Sequence, residues 1–203
     1  MIRIPEDYAV IDLETTGLDP GSDKIIEIGV KRVHHGCPHP PEAVLVHWPK
    51  LVLSQFITNL TSITDEDLKQ NGLPIQEALS WLIDRTHAWP LVGHNIIKFD
   101  RLFLDKALSD YRPGFGCFRH FYAYIDTAGL FKALVTGDHR LEGESSSDWM
   151  LRVLDTKYYG ARFSLKTACE HFDISTDLPA HRAIGDVERC YQLLQHLAEA
   201  KDV

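Results

Sequence analysis

The sequence predicts an α/β fold, and three observations carry that reading. Strand-like apolar runs come first, strand and helix patterns alternate later, and an amphipathic helical pattern closes the chain. Tyr8-Ala9-Val10-Ile11 is a short apolar run of the kind that forms a buried strand. Leu91-Val92-Gly93 gives a second short strand, followed by a helix over Arg101–Ser109. Near the end, Ile184, Val187, Tyr191, Leu194 and Ala198 follow helical spacing and mark a helix over residues 183–200.

Composition narrows the functional classes. With 203 residues and 44% hydrophobic content, the expectation is one globular domain, 1–203, with a real core. No run of 18 apolar residues is present, so no membrane-spanning helix is expected. Residues Met1 to Asp7 lack the apolar core of a signal peptide. Cys37, Cys117, Cys169 and Cys190 are scattered without a C-x-x-C pair and read as reduced thiols, which predicts a cytoplasmic protein.

Chemistry concentrates in three separated clusters. Asp12 and Glu14 stand in D-L-E-T-T-G, Asp100 closes G-H-N-I-I-K-F-D, and Asp186 closes H-R-A-I-G-D, which His181 leads. Asp12 and Glu14, two apart at a strand end, project from one face. Thr15-Thr16-Gly17 then offers hydroxyls, N–H groups and a turn open to close approach. Taken singly, each cluster has an ordinary explanation: D-x-E at a strand end is common, His181 suits a surface or capping role, and Asp186 suits a helix's first turn. Taken together, four carboxylates in one cleft would repel unless cations or protons neutralised them. Two divalent ions about 3.5–4 Å apart would remove that repulsion and stabilise charge during phosphodiester hydrolysis. A neutral imidazole such as His181 can accept a proton from the attacking water near physiological pH.

In this order, the clusters resemble the active site of the DEDDh (DnaQ-like) 3′→5′ exonucleases. The sister DEDDy branch places a tyrosine four residues before the last aspartate; here that position is Arg182, and residues 160–190 contain no tyrosine. The likeness extends over most of residues 7–199. Lys24 to Val30 resembles the family's second strand, Ile63 to Leu68 a short helix capped by Thr64, and Asp126-Thr127 a strand end before the helix Ala128–Val135. Phe163 to Cys169 resembles the helix leading into the last cluster, with Ser164 as its cap.

The resemblance implies an RNase H-like, mixed five-stranded sheet flanked by helices. It implies a metal-dependent enzyme that releases nucleoside 5′-monophosphates from nucleic-acid 3′ ends, DNA favoured. Asp12, Glu14, Asp100 and Asp186 would hold two Mg²⁺ ions, with Mn²⁺ able to substitute. His181 would act as general base, with Glu14 helping to orient the water. Residues matching the family's grip on the terminal nucleotide are Thr15, Thr16, Leu18, His94, Asn95 and Phe99, with Leu18 as a wedge between bases. Both Leu18 and Phe99 have an alternative reading as core residues.

Other features pull in different directions. The net charge of −8 is unusual for a nucleic-acid binder and argues against a long duplex-tracking groove. Lys98, Arg101, Arg162, Lys166 and Arg182 lie near the clusters and could meet phosphates. Val33 to Pro41 holds three histidines and a cysteine; its Gly and Pro content reads as a hairpin tip, and zinc binding is the second reading. Residues 136–160 form an insertion with a flexible tip at Gly143–Asp148 and an apolar patch from Trp149 to Leu154, for which core packing is the default. The expected partner is single-stranded nucleic acid or a 3′ end, with no membrane and with homo-oligomerisation open. Alternatives are an RNA-trimming exoribonuclease of the RNase T or oligoribonuclease kind, a polymerase-associated proofreading subunit, and an inactive binding module. The chain stops at Val203 after the last helix, so a stand-alone enzyme is expected, and Gln192–Leu197 reads as helix packing rather than a clamp-binding motif.

Overall fold

Alternation along the first strand sets the architecture. Strand β1 (Tyr8–Thr15) sends Ala9, Ile11 and Leu13 into one apolar cluster and Tyr8 and Val10 into another. The computed structural model describes residues 4–87, 89–112 and 123–200. Strand β2 (Ile25–His34) pairs antiparallel with β1, with Asp12 opposite Gly29 and Glu14 opposite Glu27. The two-residue strand β3 (Cys37–Pro38) folds back on β2, so the Val33–Pro41 segment is a hairpin tip, as read. Strand β4 (Glu42–His47) pairs antiparallel with β2, and the two-residue β5 (Leu73–Pro74) adds to its far edge. On the other side of β1, β6 (Leu91–Gly93) and β7 (Tyr124–Asp126) continue in parallel.

The order is β5-β4-β2-β1-β6-β7, with β3 beside β2. The five-stranded expectation is therefore corrected to seven, because β3 and β5 are two-residue additions too short to leave a periodic signal. Strands β1, β4, β6 and β7 all run the same way, so Thr15, His47, Gly93 and Asp126 end at one edge of the sheet.

Helices cover both faces. Helices α3 (Ile75–Thr86) and α4 (Asp100–Tyr111) pack Leu79, Leu82, Leu104 and Leu108 onto the Ile11 side. Helices α1 (Gln55–Thr61) and α2 (Asp65–Asn71) close a smaller cluster around Ile26. Thr64 caps α2 through a reciprocal capping box with Asp67. On the Tyr8 side lie α5 (Thr127–Thr136), α6 (Ser146–Asp155), α7 (Leu165–His171) and α8 (Ala183–Glu199). Ser164 caps α7 as read.

The 136–160 segment packs on the core: Met150 and Val153 of α6 are buried, Met150 in the α8-side cluster. Ser146–Asp148, read as part of the loop tip, form the first turn of α6 because Ser145 caps it. Arg152 closes the loop before it by gripping Asp138 and Glu144.

Helix α8 docks on three successive inward positions of β2. Glu27 meets Arg182 and the Ala183 N–H, Gly29 lies under the Ala183 backbone, and Lys31 pairs with Glu188 at 2.9 Å. The buried stripe of α8 runs through Val187, Cys190, Leu193, Leu194 and Leu197. Ile184, Tyr191 and Ala198 are only half-buried, a shift of the stripe toward the β2 contacts. A side chain at Gly29 would put its Cβ 2.7 Å from the Ala183 carbonyl. Gly29→Ala is expected to cost about 1–3 kcal/mol by overpacking, read as a lower urea midpoint with an unchanged slope; wild-type stability would show that α8 does not rest on this strand as described.

Candidate active site

The carboxylates gather where β1 meets the start of α8. Asp12 and Glu14 continue the Tyr8–Val10 face of β1 and so point to the α8 side, while Asp186 sits in the first turn of α8. Carboxylate oxygens of these three residues lie within 4.8 Å of one another. Asp100, buried at the start of α4, is outside that group: its Oδ1 accepts the Leu13 N–H at 3.1 Å. Asp100 is nonetheless near enough for its charge to act on both Asp12 and Glu14, so the four predicted acids share one neighbourhood, with Asp12, Glu14 and Asp186 in the tighter group. An oxygen-only set of three carboxylates suits a hard divalent cation.

The loop bearing His181 is mounted rigidly on both sides. Arg182 makes a fork onto the buried Glu27 carboxylate, with the shortest contact 2.6 Å. Arg189 reaches back from the second turn of α8 to Asp186 at 3.1 Å, to the Pro179 carbonyl at 3.1 Å and to the Leu178 carbonyl at 2.6 Å. Gly185 is required there, because a Cβ would fall 1.9 Å from the Pro179 carbonyl oxygen. His181 itself is exposed and holds a left-handed backbone, φ 55°.

The candidate nucleotide-gripping residues divide into two groups. Leu18 is 83% exposed at the tip of the loop after β1, which removes the core reading for it. Asn95 is exposed with φ 67°, and Phe99 is half-buried against Phe103. Thr15, Thr16 and His94 spend their side chains internally. Thr15 donates to the Gly17 carbonyl, and Thr16 donates to Asp23 while accepting the Lys24 N–H, which shapes the loop that presents Leu18. The two ring nitrogens of His94 lie 3.1 Å from the Thr127 hydroxyl and 2.8 Å from the Phe163 carbonyl. Burial holds the His94 pKa down to about 4, so the ring is neutral and structural in its hydrogen bonding.

Residues 9–194 match the exonuclease family of the RNase T type. The chain belongs to that family. Its relatives include the PolC-type DNA polymerase III of Mycoplasmopsis pulmonis, 34% identical over 131 residues that make up 64% of this chain and 9% of the polymerase. The Clostridium perfringens counterpart is 39% identical over 106 residues, 52% of this chain and 7% of that protein. This exonuclease chain therefore spans less than a tenth of those curated relatives. Among solved structures, the zinc-bound complex of Escherichia coli exonuclease I with single-stranded DNA superposes with a TM-score of 0.71 at 16% identity, covering 94% of this chain and 40% of that one. Exonuclease X in complex with 5′-overhanging duplex DNA gives 0.64 at 20% identity, covering 95% and 92%. These likenesses establish the RNase H-like fold of the DnaQ-like exonucleases.

Two supports of the carboxylate cluster escaped the sequence reading. Arg182 and Lys98, two of the basic residues near the clusters, pair with carboxylates: Arg182 with Glu27, and Lys98 with Asp155 at 2.5 Å. Glu27 looked like an ordinary strand residue; an acid inside an otherwise apolar run was the available signal. Asp126 is the second case. It caps α5 and also accepts the N–H groups of Asn95 and Ile97, so one buried carboxylate sets the H-N-I-I turn.

Crowded burial leaves the carboxylate cluster strongly perturbed. Burial first, then the charges of Asp100, Asp186 and Glu14, pushes Asp12 well above the carboxylate range. Burial with the charges of Asp186 and Glu27 lifts Glu14 to about 8, and burial lifts Asp100 to about 7. Asp186 is raised by burial against the pull of Arg189. All four groups hold their protons more tightly folded than unfolded; for Glu14 and Asp100 the stability this adds is complete below about pH 4 and is lost as pH climbs toward about 8. In EDTA the thermal midpoint is expected to fall from about pH 5 to about pH 8, and excess Mg²⁺ should flatten that fall. Midpoints that rise across this window without metal would contradict the electrostatics described.

Proposed function

We propose that this chain is a metal-dependent 3′→5′ exonuclease that removes nucleoside 5′-monophosphates from DNA ends, acting as a single domain in the cytoplasm. The observation that carries the reading is the Asp12–Glu14–Asp186 cluster with His181 mounted at its rim. Two Mg²⁺ ions, replaceable by Mn²⁺, would neutralise the carboxylates and supply charge stabilisation to the phosphoryl oxygens and the departing 3′-oxygen. Asp12, Glu14, Asp100 and Asp186 would hold them. His181 takes the proton of the attacking water, and Glu14 helps to orient that water. Asn95 and Phe99 contact the terminal nucleotide, and Leu18 enters between the last two bases. Thr15, Thr16 and His94 shape the same pocket from beneath.

DNA is favoured over RNA because the PolC-type relatives are DNA polymerases and both superposed exonuclease structures hold DNA. The same relatives favour one second reading, an exonuclease module that works with a polymerase. Pairing of Arg182 with Glu27 and of Lys98 with Asp155 suits an enzyme that holds a short terminus rather than a long duplex.

The deciding experiment is digestion of matched 5′-labelled single-stranded DNA and RNA with Mg²⁺, with Mn²⁺ and with EDTA. A ladder shortening from the 3′ end, faster on DNA and absent in EDTA, is expected. Asp12→Ala and Asp186→Asn should abolish it, and His181→Ala should lower kcat by about 10²–10⁴-fold with substrate binding kept. Substantial turnover by Asp12→Ala would end the assignment. Leu18→Ala should weaken single-strand handling by about 1–3 kcal/mol, seen mainly in kcat/KM; unchanged kinetics would discard the wedge.

A further inference from the structure

The opposite end of β1 carries a second cluster of ligand-type side chains. Asp7 lies just before β1, five residues and so about 16 Å from Asp12 along an extended strand. His34 ends β2, and His35 with Gly36 makes the tight turn into β3, both in the left-handed region at φ 50° and φ 72°. One ligand atom from each of Asp7, His34 and His35 lies within 4.8 Å of the others. Chain segments far apart in sequence are thus brought together with two imidazoles and a carboxylate.

The cluster is built before any ion arrives. The Asp7 carboxylate accepts the His35 N–H at 2.7 Å, and the Gly36 N–H donates to the Glu6 carbonyl at 2.8 Å, which fixes the turn to the chain entering β1. The His34 ring stacks on Trp89 with centroids 5.1 Å apart and planes at 14°. Its Nδ1 is 2.8 Å from Asp7 Oδ1, while His35 Nδ1 is 4.0 Å from the same oxygen.

We infer that Asp7, His34 and His35 form a second cation site, separate from the carboxylate cluster and selective for a borderline transition ion of the zinc type over Mg²⁺. Imidazole nitrogen favours Zn²⁺ and its neighbours in the series, whereas Mg²⁺ prefers oxygen alone. Tetrahedral ligands about 2.0–2.2 Å from zinc stand about 3.3 Å apart, so one gap would open by about 0.5 Å and the other close by about 0.7 Å. His34 and His35 are exposed, so modest turns of their rings achieve this. Water takes the remaining position. The bound ion would staple the entry of β1 to the β2–β3 hairpin.

The test is calorimetric titration of the EDTA-stripped full chain with Zn²⁺ in excess Mg²⁺, together with thermal melts. One equivalent of Zn²⁺ and a raised thermal midpoint are expected, with both kept in Asp12→Asn. His34→Ala, His35→Ala and the near-isosteric Asp7→Asn should each weaken binding by about tenfold or more, since losing a ligand costs at least as much as losing its support. Mg²⁺-dependent nuclease activity should be unchanged in all three. Binding that vanishes in Asp12→Asn, that moves with Cys37→Ser but not with His35→Ala, or that is absent from wild type would overturn the site.

Discussion

The buried pair of Glu27 and Arg182 is the contact on which the site's geometry rests, because Asp12 and Glu14 belong to a strand while Asp186 belongs to a helix. Glu27 is 1% exposed and answers both the Arg182 fork and the free Ala183 N–H at the start of α8. A helix start leaves N–H groups unsatisfied, and an acid there is favoured by both hydrogen bonding and the helix dipole. Glu27 is therefore a cap supplied from another element. Since Glu27 faces Glu14 in the strand register, the cap that seats α8 also sets the height at which Asp186 meets the β1 acids. An uncapped or shifted α8 would leave the cluster incomplete while the rest of the sheet persisted.

The same arrangement explains how an acidic chain tolerates an acidic site. Glu14 feels the charges of Asp186, Glu27 and Asp100, and Asp12 feels Asp100, Asp186, Glu14 and Glu27. Two guanidinium groups offset part of this from the protein side, Arg182 on Glu27 and Arg189 on Asp186. Both point their charge at supports or at the helix side of the cluster, and both hold backbone or carboxylate partners. The remaining excess of negative charge is a field that attracts cations, and a net charge of −8 adds to it over longer range. At the cluster, the acidity that looked like an obstacle to a nucleic-acid enzyme is cation-seeking.

Much of this was legible in the sequence, for physical reasons that differ by element. The strand Tyr8–Ile11, the Thr64 and Ser164 caps and the helix from Ala183 announce themselves through local pattern, and each stands where it was read. Helix α1 escaped because its seven residues bury only Ile57 and Thr61, too few for a periodic stripe. The shifted face of α8 escaped for the opposite reason: Gly185 and Cys190 face the core, yet neither is among the large apolar residues that mark a stripe. The three acids that the fold brings together, Asp12, Glu14 and Asp186, were readable because each stands in a short motif at an element's end. Their supports were not, because Glu27 and Arg182 meet across 155 positions and only the fold joins them.

His181 shows what that support achieves. Its neighbours on both sides are fixed, Arg182 by Glu27 and the Leu178 and Pro179 carbonyls by Arg189, while its own side chain stays exposed. A left-handed backbone at a non-glycine residue costs on the order of 1–3 kcal/mol and persists only where surrounding contacts impose it. Here the imposing contacts are identifiable, and each is anchored to the cluster: Arg189 also holds Asp186, and Glu27 faces Glu14 in the strand register. The loop therefore cannot drift independently of the carboxylates. In the proposed role of proton acceptor, His181 must be free to turn toward water yet stay near the acids, and an exposed ring on a backbone braced through Asp186 and Glu27 would meet both requirements.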